Sequence, residues 1–195
     1  MLSTRADRGV AEIKTVAVIG AGPLGRSIAH RAALAGYRTI LEDTLPASLR
    51  KSKDEIHDFL DQSLRLGEVS PEQAEAALAQ LEYAGSVEEA ARPADMVIEA
   101  VPDEMESKLE IFTLLDRICR PHTILVSTAS SLSVTEIASI TYRPQRILGM
   151  RFSQPGMGAA VVDLVCGMDP DDETVAICAT LARDMGLAVN IVSEP

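Results

Sequence analysis

The stretch Gly20-Ala21-Gly22-Pro23-Leu24-Gly25 constrains this chain most. Thr15-Val16-Ala17-Val18-Ile19 runs into it as a short apolar, β-branched segment, and Leu24 to Ala35 leave it as a helix-like segment that Gly36 closes. Strand, glycine-rich turn and helix in that order make the first half of a βαβ unit that binds a dinucleotide. Gly20 permits the tight turn, Gly22 lets the backbone approach a pyrophosphate, and Gly25 lets helix and strand pack closely. The helix start, with Pro23 at its first position, offers the free N–H groups of Leu24 and the residues after it, and the positive end of the helix dipole, to the phosphates. A glycine-rich turn of this kind also occurs in other α/β proteins. Here the next apolar run, Thr39-Ile40-Leu41, is followed by Asp43, at roughly the 20-residue spacing of a ribose-binding carboxylate. A carboxylate there repels a 2′-phosphate, so NAD is expected over NADP, and Glu42 beside it strengthens that expectation.

The 195 residues, 47% of them hydrophobic, suit one substantial domain. A net charge of −11 argues against nucleic acid and anionic membranes as partners, since both call for basic patches. Met1 to Glu12 is polar and lacks the apolar stretch of a signal peptide. No apolar run approaches the roughly 18–20 residues that span a bilayer. Cys119, Cys166 and Cys178 have no metal-ligand spacing, which points to reduced thiols, a cytoplasmic location and no metal site.

Residues 1–13 read as a polar arm and 14–195 as one domain. Pro46 opens a helix to about Leu66, with Leu49, Ile56, Phe59, Leu60 and Leu64 on one face and Gly67 as its stop. Ser70-Pro71-Glu72-Gln73 is a helix start, Ser as N-cap and Gln at N3. Residues 46–81 thus form a helical hairpin, longer than an ordinary crossover and read as an insertion projecting between strands. Strands are expected at 15–19, at 39–43, at 81–84, at 96–101, at 124–127, at 147–152, at 161–166 and at 187–192. Helices are expected over about 104–119 and 134–140, and from Asp169-Pro170 to Met185. Strands and helices alternate throughout, the pattern of a doubly wound α/β, Rossmann-type sheet that is mainly parallel.

With these segments in place, the chain resembles the NAD-binding domain of the 3-hydroxyacyl-CoA dehydrogenase family. The likeness rests on Val16 to Gly25, on Asp43 and the hairpin after it, and on Asp95-Met96-Val97-Ile98-Glu99-Ala100-Val101-Pro102 with Lys108. It continues in Ser130-Ser131-Leu132-Ser133-Val134-Thr135-Glu136-Ile137-Ala138 and Arg143-Pro144. The resemblance implies oxidation of a 3-hydroxyacyl thioester with NAD. It implies that Asp43 holds the adenine ribose, that Ala100, Val101, Asp103, Lys108 and Ser127 lie along the cofactor, and that Ser130 touches the substrate's 3-oxygen.

Three departures qualify it. The family's catalytic histidine lies in a His-Phe-Phe-Asn-Pro pattern, and this chain has Arg151-Phe152-Ser153-Gln154-Pro155, with Asp163 twelve residues on from Arg151 where a Glu partner stands. Arginine does not release its proton at physiological pH. Arg151 then either pairs with Asp163 or binds an anionic substrate group such as a carboxylate, which its planar fork suits. Next, the chain ends at Pro195, where the family continues into a helical domain. That domain is expected to be absent, with a second copy or a helical partner subunit covering the apolar surface. Last, Asp54, Glu55, Asp58, Asp61 and Glu68 outnumber Lys51, Lys53 and Arg65 on the hairpin, a balance that disfavours coenzyme A unless these acids are only a solvated face. Two functions stay open: an NAD-dependent oxidoreductase of altered acid–base chemistry acting on a small acyl or carboxylate substrate, and a non-catalytic nucleotide-binding module or subunit of a split complex.

Overall fold

The computed structural model of the chain describes residues 13–152, 161–167 and 170–194. The arm expected at the N-terminus, apart from Ile13, lies outside the described residues, as do Ser153-Gln154-Pro155 and Asp169. The expected strands form: β1 (Thr15–Ile19), β2 (Arg38–Glu42), β3 (Leu81–Ala84), β4 (Met96–Glu99), β5 (Ile124–Ser127), β6 (Ile147–Phe152), β7 (Val161–Cys166) and β8 (Ala188–Ser193). The helices are α1 (Pro23–Leu34), α2 (Pro46–Leu66), α3 (Pro71–Gln80), α4 (Val87–Ala91), α5 (Met105–Ile118), α6 (Val134–Ser139) and α7 (Asp172–Asp184).

The strands make one sheet in the order β3-β2-β1-β4-β5-β6-β7-β8. The first six run parallel. β7 turns back antiparallel beside β6, because the short connection between them leaves no room for a crossover helix. β8 returns parallel to β7 through α7. The chain's direction of winding reverses between β1 and β4, and at such a switch point the carboxyl ends of the strands open a crevice. β1 is buried on both faces, each residue 8% exposed or less. On one face it joins a core shared with α1, α2, α3 and α7, on the other a core shared with α4, α5 and α6.

The hairpin is less of a projection than its length suggests. It is the crossover from β2 to β3, and Ile56, Leu60, Ala74 and Ala77 bury its inner side in the core containing α1. Gly67 stops α2 in the left-handed region at φ 71°, and Ser70 and Gln73 exchange both bonds of a capping box. α7 begins later than expected. Asp171 is its N-cap, accepting from the Thr174 N–H at 2.6 Å, so the capping carboxylate fixes the start.

Candidate active site

A cleft of about 820 Å³ crosses the carboxyl ends of the parallel strands. Gly20, Gly22, Pro23 and Leu24 form its middle, Asp43 one end, and Ser130, Arg151 and Phe152 the other, with Ala100, Val101, Asp103 and Lys108 on the wall between. Gly25, Ser127 and Asp163 are not on its surface.

The middle is shaped by contacts no larger residue tolerates. A Cβ on Gly25 would fall 1.8 Å from the Gly20 carbonyl oxygen, so α1 presses directly on the turn. Gly20 has φ 103°, and a Cβ there would lie 2.8 Å from the Ala100 carbonyl oxygen. Above Gly22, by contrast, a Cβ would meet nothing within 4 Å. That open space, at the N-cap of a twelve-residue helix, fits a pyrophosphate. Asp43 is held from both sides. Its Oδ2 accepts the Ala21 N–H at 3.1 Å and its Oδ1 the Leu45 N–H at 2.9 Å, which joins the turn to the carboxylate expected at a ribose. Glu42 does not add a second solvent-facing carboxylate beside it. It is 2% exposed, and burial, with the Asp43 charge next, pushes its carboxyl up to about 7.

Lys108 lies in the wall but is tied down. Its Nζ donates to Glu99 Oε1 at 2.7 Å and Oε2 at 2.9 Å, with the two side chains 1% and 0% exposed. Ser127 donates to the same Glu99 at 2.9 Å and accepts the Ala129 N–H. Ser127 thus reaches the cleft wall only through Glu99 and is not itself on the cleft surface. Glu99 does not line the cleft but anchors Lys108 and Ser127, a supporting role that sequence reasoning misses. The signal is present, since a carboxylate ending an apolar strand needs a buried partner, and Lys108 stands one strand-to-helix turn away.

At the other end, Asp103 Oδ2 accepts the Ser130 hydroxyl at 2.6 Å and the Ser130 N–H at 3.1 Å. Burial alone would raise the Asp103 carboxyl, but the Ser130 bonds, the Lys108 charge and the Ser131 N–H together hold it below its ordinary value. Arg151 and Asp163 stand opposite one another in the β6–β7 ladder, yet the expected ion pair does not form. Asp163 is short and takes the Asn190 side-chain N–H at 2.8 Å on the other side. Arg151 reaches across to the loop after β5, donating to the carbonyls of Ala129 at 3.2 Å and Leu132 at 3.3 Å. Among the described residues its nearest carboxylate is Glu194, at 3.9 Å. Glu194 accepts the Val134 and Thr135 N–H groups and the Ser133 hydroxyl, so it caps α6 from the end of β8. On the hairpin, Asp54, Asp58, Asp61 and Glu68 are exposed, while Glu55 pairs with Arg26.

A doubly wound sheet with a glycine turn, an open pyrophosphate space and an acid after β2 defines a dinucleotide-binding Rossmann domain. The family model "3-hydroxyacyl-CoA dehydrogenase, NAD binding domain" matches residues 15–194, and the chain belongs to that family. NAD is accordingly its cofactor. It is 38% identical over 175 residues to a probable 3-hydroxybutyryl-CoA dehydrogenase of Bacillus subtilis, covering 90% of this chain and 61% of that one. It is 33% identical over 174 residues to the 3-hydroxyadipyl-CoA dehydrogenase of Escherichia coli, covering 89% of this chain and 36% of the other. The crystal structure of (S)-3-hydroxybutyryl-CoA dehydrogenase PaaH1 from Ralstonia eutropha superposes with a TM-score of 0.89 at 29% identity, over 94% of this chain and 65% of that one. The chain thus spans about three fifths of the Bacillus relative. Among the described residues no helix is long and apolar enough to cross a membrane.

Proposed function

We propose that this chain is the cofactor-binding part of an NAD-dependent oxidoreductase acting at a hydroxyl or oxo group of an acyl or carboxylate substrate. One observation carries the reading: a single continuous cleft has the glycine turn at its middle, Asp43 at one end and Ser130 with Arg151 at the other. The names of the relatives support a 3-hydroxyacyl substrate and favour this reading over a non-catalytic module.

NAD, when bound, supplies or accepts the hydride. The first turn of α1 would face the pyrophosphate and Asp43 the ribose. Ser130 would meet the substrate oxygen, exchanging its bond to Asp103 for one to substrate. Arg151 takes the place of the family's histidine in this reading. It stays protonated, so it holds charge rather than moving a proton, and its fork suits a substrate carboxylate. The chain's three free thiols fit a reducing compartment such as the cytoplasm.

The test is a titration with NADH followed by nicotinamide fluorescence, then NADH-dependent reduction of acetoacetyl-CoA by the native chain and by Arg151→His. NADH binding with slow native turnover, raised ~10²-fold or more by the histidine, is expected. Failure to bind NADH at millimolar levels overturns the proposal. A native rate that the histidine leaves unchanged overturns the part assigned to Arg151.

A further inference from the structure

The cofactor cleft holds one buried group that neither ribose nor pyrophosphate explains. Glu42 ends β2, two residues after Ile40, on the sheet face that α4 and α5 cover. It is 2% exposed, it lines the cleft, and among the described residues no donor reaches its Oε1. A carboxylate oxygen buried without a donor is costly, so a partner for it beyond the described residues is expected.

The topology says which part of the cofactor lies there. With pyrophosphate over Gly22 and ribose at Asp43, the substrate end at Ser130 and Arg151 takes the nicotinamide half. The adenosine half is left to the side of β2 and α4. Val87, Val101 and Ile111, which belong to the core on that face of the sheet, also line the cleft. Apolar walls suit the faces of a purine, and a lone acceptor oxygen suits an edge that donates. Adenine has one such exocyclic donor, its 6-amino group.

We propose that Glu42 reads the adenine base of NAD, its free carboxylate oxygen accepting a hydrogen bond from the 6-amino group. Asp43 and Glu88 are the charged neighbours that, after burial, hold its proton on, with the Gly20 N–H opposing them. An amine donor works in the same sense as that N–H, favouring the ionised carboxyl.

The inference rests on NAD occupying this cleft, and its test separates the two. At pH 8, NADH and reduced nicotinamide hypoxanthine dinucleotide, which carries an oxygen where adenine has the amine, are titrated against the native chain, Glu42→Gln and Glu42→Val. The native chain is expected to bind NADH ~10-fold more tightly than the hypoxanthine analogue, since the two facing oxygens cannot bond and the base must shift out of place to offer its N1–H instead. In Glu42→Gln the amide turns either its oxygen to adenine or its N–H to hypoxanthine, and in Glu42→Val the side chain bonds neither, so both variants bring the ratio to within about 2-fold. Equal native affinities, or a preference that survives in both variants, overturn the role of Glu42 while leaving NAD in the cleft. No binding of NADH overturns the cofactor site itself, and the role of Glu42 with it.

Discussion

The two ends of the cleft are built on opposite plans. The cofactor end is made of backbone and apolar walls, and it leaves two features unused: the open space above Gly22 and the buried, unpartnered Glu42 Oε1 atom. The substrate end is made of polar side chains already engaged with the protein, Ser130 with Asp103 and Arg151 with two carbonyls. On the proposed reading, a preformed cofactor seat therefore stands beside a substrate seat that must exchange internal bonds to receive a ligand.

The plan of the cofactor end breaks most sharply at Gly25. In Gly25→Ala the new Cβ would fall 1.8 Å from the Gly20 carbonyl oxygen, so α1 and the turn must part. A loss of about 3 kcal/mol of stability and ~100-fold of NADH affinity is expected, read by thermal melting and fluorescence titration. The same substitution at Gly22 meets no protein atom within 4 Å and should spare stability while weakening NADH.

Lys108 tests whether the wall between the ends is cofactor machinery or support. Lys108→Met strands a fully buried Glu99 carboxylate, which costs about 3–5 kcal/mol, or roughly 10 °C in melting temperature. Adding Glu99→Gln should recover most of that loss. A small melting shift with a large loss of NADH affinity would instead make Lys108 a direct cofactor contact.

The buried acid at the cofactor end also sets a pH dependence. The Glu42 carboxyl is raised by burial, and then by Asp43, from 4.5 to about 7. The native state therefore holds a proton that the unfolded state has released. No penalty exists below about pH 4.5. It grows as pH rises and is complete above about pH 7, reaching about 3 kcal/mol. Melting temperature should fall across that window, and Glu42→Gln should flatten the slope.

The cofactor end was legible in the sequence because its parts are local: a strand, six residues of turn, a helix and one acid after the next strand. The strands and the capping box at Ser70 were readable on the same terms. The substrate end was not, because its bonds join distant segments. Glu194 meets Val134 sixty residues away, and Asp103 meets Ser130 across twenty-seven. One of the two readings of Arg151 fails for the same reason: Asp163 is its ladder partner, but the long guanidinium reaches past that neighbour to free carbonyls. Glu42 looked like a second guard against a 2′-phosphate, and the alternation of β2 buried it on the α4 and α5 face of the sheet, at the wall of the cleft, instead.

The smallest effect expected is at Glu194, and it probes how far the substrate end depends on its internal bonds. Glu194 supplies the cap that the Ser133 hydroxyl, bonded to the Glu136 N–H, does not give the N–H groups of Val134 and Thr135. Burial opposes ionisation there, but the Thr135, Val134 and Ser133 donors outweigh it and hold the carboxyl below its ordinary value. Glu194→Gln keeps the shape but removes the charge facing Arg151 and the helix start, for a loss of about 1 kcal/mol. Because that charge lies at the substrate end, NADH affinity should stay within about 2-fold of native, as expected for a site outside the cofactor's contacts. If NADH affinity fell together with stability, the two ends would be one cooperative unit, and the division between a preformed seat and a wired one would not hold.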